Sequence, residues 1–264
     1  MRYVLYVGDA EKALKQVPSS TVDLVCTSPP YFTMRDELKW SSLEEYFDKM
    51  TLIFNQVKRI LRPGRIVAVN MSDYICNGER IDLNWQWHKL LRNNFKYRDT
   101  IIWRKTGQLV TVSAGKMSSN FIKYKLPMYY SPDRVSEFIM IFSKGSVRIP
   151  NYNQEVIDNS RIAVNRDWLT NVWSFAPRQD KRHPAVFPEE LPKRIVSLYS
   201  YWGETVLDPF LGTGTTMRVA KDLGRSCIGC EINDKYIPTI KQYVRWNEVG
   251  LEGNHDYKVI DVRD

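Results

Sequence analysis

The chain is poor in cysteine and histidine, with four and three of them in 264 residues. Four cysteines are too few for a disulfide scaffold of this size. Cys227 and Cys230 have the spacing of a zinc or redox pair, but no second pair accompanies them. Their surroundings, Ser226-Cys227-Ile228-Gly229-Cys230-Glu231, read as a strand, which sends the two thiols to opposite faces as core residues. No metal is expected. Long apolar runs are missing too, and nothing nears the roughly 20 residues of a membrane-spanning helix. The start, Met1 to Asp9, turns acidic too early for a signal peptide and reads as a strand and a turn. A cytoplasmic protein with no membrane partner is expected. Internal repeats and low-complexity tracts are absent.

Acidic residues are scarce in one place. Between Arg92 and Arg148 eleven basic residues stand against three acids, an excess equal to the whole net charge of +8. The rest of the chain is neutral, with 27 residues of each sign. A solvated surface would not need this segregation, whereas a docking face for a polyanion would.

Hydrophobic residues make up 43% and charged residues 26%, which suits one α/β domain with an insertion. Val22 to Thr27 is a compact strand signal closed by Ser28-Pro29-Pro30. Ser41 and Ser42, each followed three residues later by Glu44 and Glu45, offer capping boxes for a helix reaching about Leu61. Arg62-Pro63-Gly64 is expected to stop it, with Ile66 to Val69 following as a buried strand. A helix over 83–93 and strands over 100–103 and 137–142 come next. Periodicity fails over 106–130 and 145–182, which read as loops or an insertion at the sheet edge. Alternation resumes with a helix from Pro188, a strand over 205–208, a helix from about Thr215, a strand to Glu231 and a helix over 235–246. The tail over 257–262 reads as a last strand. This alternation predicts a mostly parallel sheet covered on both faces.

Two motifs carry chemistry. In Asp208-Pro209-Phe210-Leu211-Gly212-Thr213-Gly214-Thr215-Thr216 a strand ends in an acid and a glycine turn leads into a helix. No third glycine makes it a dinucleotide fingerprint, and no lysine makes it a phosphate loop. Glu231 ends the next strand 23 residues on, the spacing of an acid that accepts bonds from ribose hydroxyls. Together they fit an adenosine-containing ligand without phosphates, where Asp208 alone would be an ordinary helix cap. The second motif is Ser28-Pro29-Pro30-Tyr31. Two prolines remove two N–H donors and leave a carbonyl rim, Ser28 adds a hydroxyl, and Tyr31 offers a flat face. Alone, it would read equally well as a surface turn. As a rim, it can hold an exocyclic amino group while a ring lies on the tyrosine.

The two motifs together resemble the amino-group DNA methyltransferases that use S-adenosylmethionine. The resemblance covers most of the chain, including Gly8-Asp9, Leu61-Arg62-Pro63-Gly64, Ile102-Trp103-Arg104-Lys105 and His183-Pro184-Ala185-Val186-Phe187-Pro188. The catalytic motif precedes the cofactor motif, the order of the circularly permuted β-type members. The resemblance implies a Rossmann-like, mostly parallel seven-stranded sheet with helices on both faces, as a single domain over 1–264. Segments 106–130 and 145–182 would recognise the target. It implies that Asp208, Pro209, Phe210, Gly212, Thr213, Gly214 and Thr215 form the cofactor loop. Glu231 would take the ribose hydroxyls and Asp9 would lie near the adenine amino group. Ser28, Pro29, Pro30 and Tyr31 would form the catalytic rim. Arg104, Lys105, Lys116, Lys123, Lys125, Arg161, Arg166 and Arg178 are candidate DNA contacts. In that family the Ser-Pro-Pro-Tyr version goes mostly with cytosine N4 and Asp-Pro-Pro-Tyr with adenine N6. Methylation at cytosine C5 would need a cysteine after a proline, and none stands there. Double-stranded DNA is the implied partner. An adenine-N6 enzyme, an RNA or protein amino-methyltransferase and an inactive DNA-binding relative stay open as readings. So do a separately encoded restriction endonuclease as partner and a monomeric or homodimeric state.

Overall fold

Strand and helix alternate along the chain: short apolar runs buried on both faces form the central strands, and apolar residues at helical spacing form the helices between them. The computed structural model describes all residues except 33–39, 77–78, 108–122, 131, 133, 164–165, 178–187, 247–254 and 264. β1 (Arg2–Val7), α1 (Ala10–Lys15), β2 (Val22–Thr27), α2 (Leu43–Ile60) and β3 (Leu61–Met71) open the fold. A short antiparallel pair, β4 (Tyr74–Cys76) and β5 (Glu79–Ile81), leads to α3 (Leu83–Asn94). β6 (Lys96–Lys105), β7 (Ser136–Ser143), α4 (Gln154–Asn159), a 3-10 turn (Arg166–Trp168) and β8 (Val172–Phe175) follow. The last part is α5 (Glu190–Tyr199), β9 (Thr205–Asp208), α6 (Thr215–Asp222), β10 (Ser226–Glu231), a 3-10 turn (Asp234–Tyr236), α7 (Ile237–Tyr243) and β11 (Asp256–Asp261).

Nine strands form one sheet in the order β11-β1-β10-β9-β2-β3-β7-β6-β8. Every pair is parallel except the two made by β7, which runs against the rest. Seven strands were expected; β11 and β8 extend the two edges. β8 lies inside 145–182, a stretch that reads as irregular because four residues with one buried side chain, Trp173, leave no periodic signal. Pairing in parallel with β6 completes this strand.

Side chains alternate between two cores. Val4, Tyr6, Val25, Val67 and Val69 face one side, where α1, α2 and α3 cover them. Tyr3, Leu5, Leu24, Cys26 and Ala68 face the other, under α5, α6 and α7. Cys227 and Cys230 fall in different cores, both buried, and burial pushes both thiols up. Among the described residues no cluster of His, Cys, Asp and Glu could hold a metal ion. No described helix is long and apolar enough to cross a membrane.

α2 is held by six buried residues, Tyr46, Met50, Ile53, Phe54, Val57 and Ile60, each contributing roughly 1.5–3 kcal/mol when fully buried. Ser42 caps it by accepting from Glu45 N at 3.1 Å, while the Glu45 carboxylate reaches back to Ser41 N at 2.7 Å. Arg62-Pro63-Gly64 does not end this helix in the way expected. The helix stops at Ile60, and the tripeptide lies within β3, where the register against β2 shifts between Val22 and Leu24. Gly64, at φ +81°, absorbs the kink, and a Cβ there would lie 2.9 Å from Arg148 N.

Candidate active site

From β9 the chain proceeds to β10 on one side of the sheet, and from β2 to β3 on the other. β9 and β2 are neighbours, so the sheet has a topological switch point between them, where open α/β sheets bind ligands at the strand carboxyl ends. Both motifs end there. Asp208 is 3% exposed and fully engaged: one carboxylate oxygen accepts from Thr27 Oγ1 at 2.6 Å and from Phe210 N at 3.0 Å, the other from Thr216 Oγ1 at 2.6 Å. Gly214 caps α6 at φ +94°, which a side chain rarely adopts, and a Cβ there would press on Val244 and Ile240.

Glu231 ends β10 and is 2% exposed. Its carboxylate accepts from Gly212 N at 2.7 Å and Asn233 N at 2.9 Å, which orients the group while a carboxylate's further lone pairs can take a ligand hydroxyl. Asp9 lies two residues beyond the end of β1 and caps α1, accepting from Glu11 N and Lys12 N. Lys49 Nζ, from α2, reaches Asp9 and Glu11 at 3.0 Å each. Burial works against the Lys49 charge, but the bonds to Glu11 and Asp9 outweigh it and leave the pKa raised. Bonds from Lys15 and Lys49 hold Glu11 below the usual carboxylate range.

These strand ends open into a cleft of about 420 Å³ lined by Gly8, Asp9, Ala10, Pro30, Trp40, Lys49, Met50, Ile53, Pro209, Phe210, Cys230, Glu231 and Ile232. Of the expected cofactor residues, Asp9, Pro209, Phe210 and Glu231 line it; Asp208, Gly212, Thr213, Gly214 and Thr215 stand behind and shape the loop. The residues present fit an adenosine moiety: two carboxylates, an apolar wall of Met50, Ile53 and Phe210, and the buried Trp40 Nε1–H, which has no partner among the described residues. Trp40, Lys49, Met50 and Ile53 escaped sequence reading. All but Trp40 sit within an amphipathic helix, whose pattern explains them as core or surface without a ligand.

The expected catalytic rim adjoins this cleft, which Pro30 also lines. Pro29 and Pro30 are buried and Ser28 is half-buried, with no hydrogen bond to another described residue. Tyr46 Oη donates to Pro30 O at 2.9 Å and accepts from Trp87 Nε1 at 3.1 Å, a relay from two buried rings that fixes the rim. Tyr31 is partly exposed but its hydroxyl is turned inward. Burial, then the nearby Glu137, push its pKa well up against a bond from the Ser72 backbone. Beyond it, Asn70 Nδ2 donates to Glu137 at 2.6 Å, and Glu137 pairs with Lys105 at 2.6 Å. This chain of contacts joins β3, β7 and β6, and no local motif announces it.

The candidate DNA contacts scatter. Arg104, Lys123, Lys125, Arg161 and Arg166 are exposed. Arg161 pairs with Asp158 at 2.9 Å, and Lys105 with Glu137 as above. Lys116, Arg178, much of 106–130, the end of 145–182 and the His183–Phe187 block lie outside the described residues.

Residues 22–242 match the DNA methylase family that groups N6- and N4-amino methyltransferases, and the chain belongs to this family, in its β-type order. It is 29% identical to the type II methyltransferase M.MjaI of Methanocaldococcus jannaschii, over 95% of this chain and 94% of that one. Among solved structures it resembles a Thermus thermophilus protein, assigned as a DNA modification methylase and complexed with S-adenosyl-L-methionine. The TM-score is 0.74 at 27% identity, covering 98% of this chain and 100% of that one. The cytosine-N4-specific PvuII DNA methyltransferase shares the fold, with a TM-score of 0.73 at 19% identity and coverage of 98% and 95%.

Proposed function

We propose that the chain is a site-specific DNA methyltransferase that methylates the exocyclic N4 amino group of cytosine in duplex DNA. The observation that carries this reading is one cleft lined by both Pro30 of the rim and Glu231 of the cofactor strand, which brings an amino-group holder against an adenosine site. The Ser-Pro-Pro-Tyr form of the rim supports cytosine over adenine. S-adenosylmethionine, when bound, supplies an electrophilic methyl group for direct displacement by the amino nitrogen.

The residues of the chain do the positioning. An aromatic amino group is a poor nucleophile because its lone pair is delocalised into the ring. The Ser28 hydroxyl and the Pro29 carbonyl accept its two N–H bonds, which draws the nitrogen toward a tetrahedral shape and localises the lone pair. Tyr31 stacks on the ring, and Tyr46 and Trp87 keep the rim in place. Ser28 is a weak base, so the proton leaves to solvent, and no covalent enzyme intermediate is needed. The rest of the rate comes from orientation. The base must leave the duplex to reach the rim, at roughly a few kcal/mol. Arg104, Lys105, Lys116, Lys123, Lys125, Arg161, Arg166 and Arg178 supply phosphate and groove contacts, with target selection in 106–130 and 145–182. The type II relatives suggest a restriction partner encoded separately.

Digesting DNA methylated by the protein and identifying the modified nucleoside tests this directly. N4-methylcytosine is expected. N6-methyladenine would overturn the base assignment and leave the amino-methyltransferase class standing.

A further inference from the structure

Five large apolar side chains are exposed within seven residues: Tyr124, Leu126, Met128, Tyr129 and Tyr130. Met128 is 98% exposed, the highest value among the described large hydrophobics. An apolar cluster of this density in water marks a contact surface. Two residues of segment 124–130 hold unusual backbone: Lys125 at φ +52° and Met128 at φ +71°, both in the left-handed region that side chains disfavour. Around this tip the charge is positive, from Lys123 and Lys125, and Lys123 lies over the Tyr124 ring at 5.0 Å. Tyr124 and Tyr129 pack against each other at 4.9 Å and brace the turn.

The location narrows the partner. The excursion leaves the sheet at the end of β6 and returns at the start of β7, and both points lie on the strand edge that carries the rim. Its returning limb is anchored there: Arg134 pairs with Asp73 at 3.0 Å, and Arg80 donates to Pro132 O at 3.3 Å. Asp73 is the chain neighbour of Tyr74, whose ring lies 6.1 Å from that of Tyr31. Met128 precedes Arg134 by six residues, which limits it to about 20 Å from this anchor.

We infer that Leu126-Pro127-Met128 is a wedge that enters the DNA base stack where the target nucleotide leaves, with Met128 as the inserted side chain. Apolar wedges of Met, Leu or Pro unstack base steps and occupy the gap. Tyr31 can stack on the extruded base, and extrusion leaves a gap in the duplex that an inserted side chain can occupy. A flexible thioether beside two lysines can do so, with the lysines on the flanking phosphates. The inference rests on the proposed DNA methyl transfer and adds to it the residue that keeps the base out.

The test compares wild type with Met128→Ala on two substrates: a fully paired duplex, and one with an abasic site opposite the target, where extrusion costs little. On paired DNA the variant should transfer methyl groups roughly tenfold more slowly or worse, and on the abasic duplex within about twofold of wild type. The fluorescence rise of 2-aminopurine at the target position should fall in parallel. Equal rates on paired DNA, or an equal loss on both substrates, would overturn the wedge. So would a drop in oligomeric mass by sedimentation, which would make the cluster a contact between copies. If wild type methylates neither duplex, the parent reading fails first, before any substitution is made.

Discussion

The Thr27 hydroxyl donates to the Asp208 carboxylate at 2.6 Å across 181 residues of sequence. It joins the last residue of β2 to the last residue of β9. Thr27 immediately precedes Ser28-Pro29-Pro30-Tyr31 and Asp208 begins the glycine turn, so the bond ties the two motifs to each other. Thr27→Val keeps the shape and removes the donor. Loss of one hydrogen bond to a charged group costs about 1.5–3 kcal/mol, which urea unfolding will read. Asp208→Ala strands three donors and should abolish cofactor binding by calorimetry. Normal affinity would remove Asp208 from any role in the site.

On the proposed mechanism Tyr31 serves the chemistry and not cofactor binding. Tyr31→Ala should cripple methyl transfer while cofactor affinity stays near normal. Tyr31→Phe keeps the ring and loses only the hydroxyl that meets Ser72, so most of the rate should remain. An unchanged rate in the alanine variant would take Tyr31 out of the site.

Trp40 holds a buried indole N–H, without a partner among the described residues, at the wall of the cleft. A cofactor acceptor in that position gains a hydrogen bond. Trp40→Phe preserves the flat apolar wall and deletes the donor, and about tenfold weaker cofactor binding is expected, equivalent to one such bond. Equal affinity by calorimetry would show that the N–H serves no ligand.

The Asp9–Lys49–Glu11 cluster makes stability depend on pH in a definite direction. Glu11 has a lowered pKa in the folded chain, so its contribution is present above the unfolded carboxylate value and is lost as pH falls through the lowered one. Lys49 has a raised pKa, so its contribution is present at neutral pH and is lost only as pH rises through that raised value. Lys49→Met should therefore destabilise the protein at pH 7 more than at an acidic pH below the folded Glu11 value. Urea titrations at both pH values check this, and an equal loss at both would refute the ionic account.

Phosphate contact by Lys123 and Lys125 predicts a salt signature. Replacing either with Ala should lower the slope of log K against log salt by about 1 and weaken binding to all sequences alike. Fluorescence anisotropy over a salt series measures it. A variant that changes only sequence preference would place that lysine on a base edge.

Much of the fold was legible. The run 22–27, the caps at Ser42 and the helix–strand alternation after Pro188 all carry strong local signals, and each matches an element. The tail strand was legible as well, and only its partner, β1, was hidden. β8 was invisible because its strand character comes from pairing with β6, a neighbour about 70 residues away. Residues 62–64 misled because a Pro-Gly pair usually breaks an element, while here a glycine with positive φ lets β3 run through it.

The site divides along the same line. Ser28 to Tyr31, Asp208 to Thr216 and Glu231 announce themselves, because tight turns, missing donors and strand-end acids are written in consecutive residues. Family, cofactor class and the order of the two motifs follow from them. What needed folding was which of these residues line the cleft. The switch point between β2 and β9 brings Pro30 and Glu231 to one cleft, turns Asp208 inward as its frame, and lends Trp40 and Lys49 from elements with no motif. Contacts between residues far apart in the chain depend on strand order, and strand order is a property of the whole sheet, which no local pattern encodes.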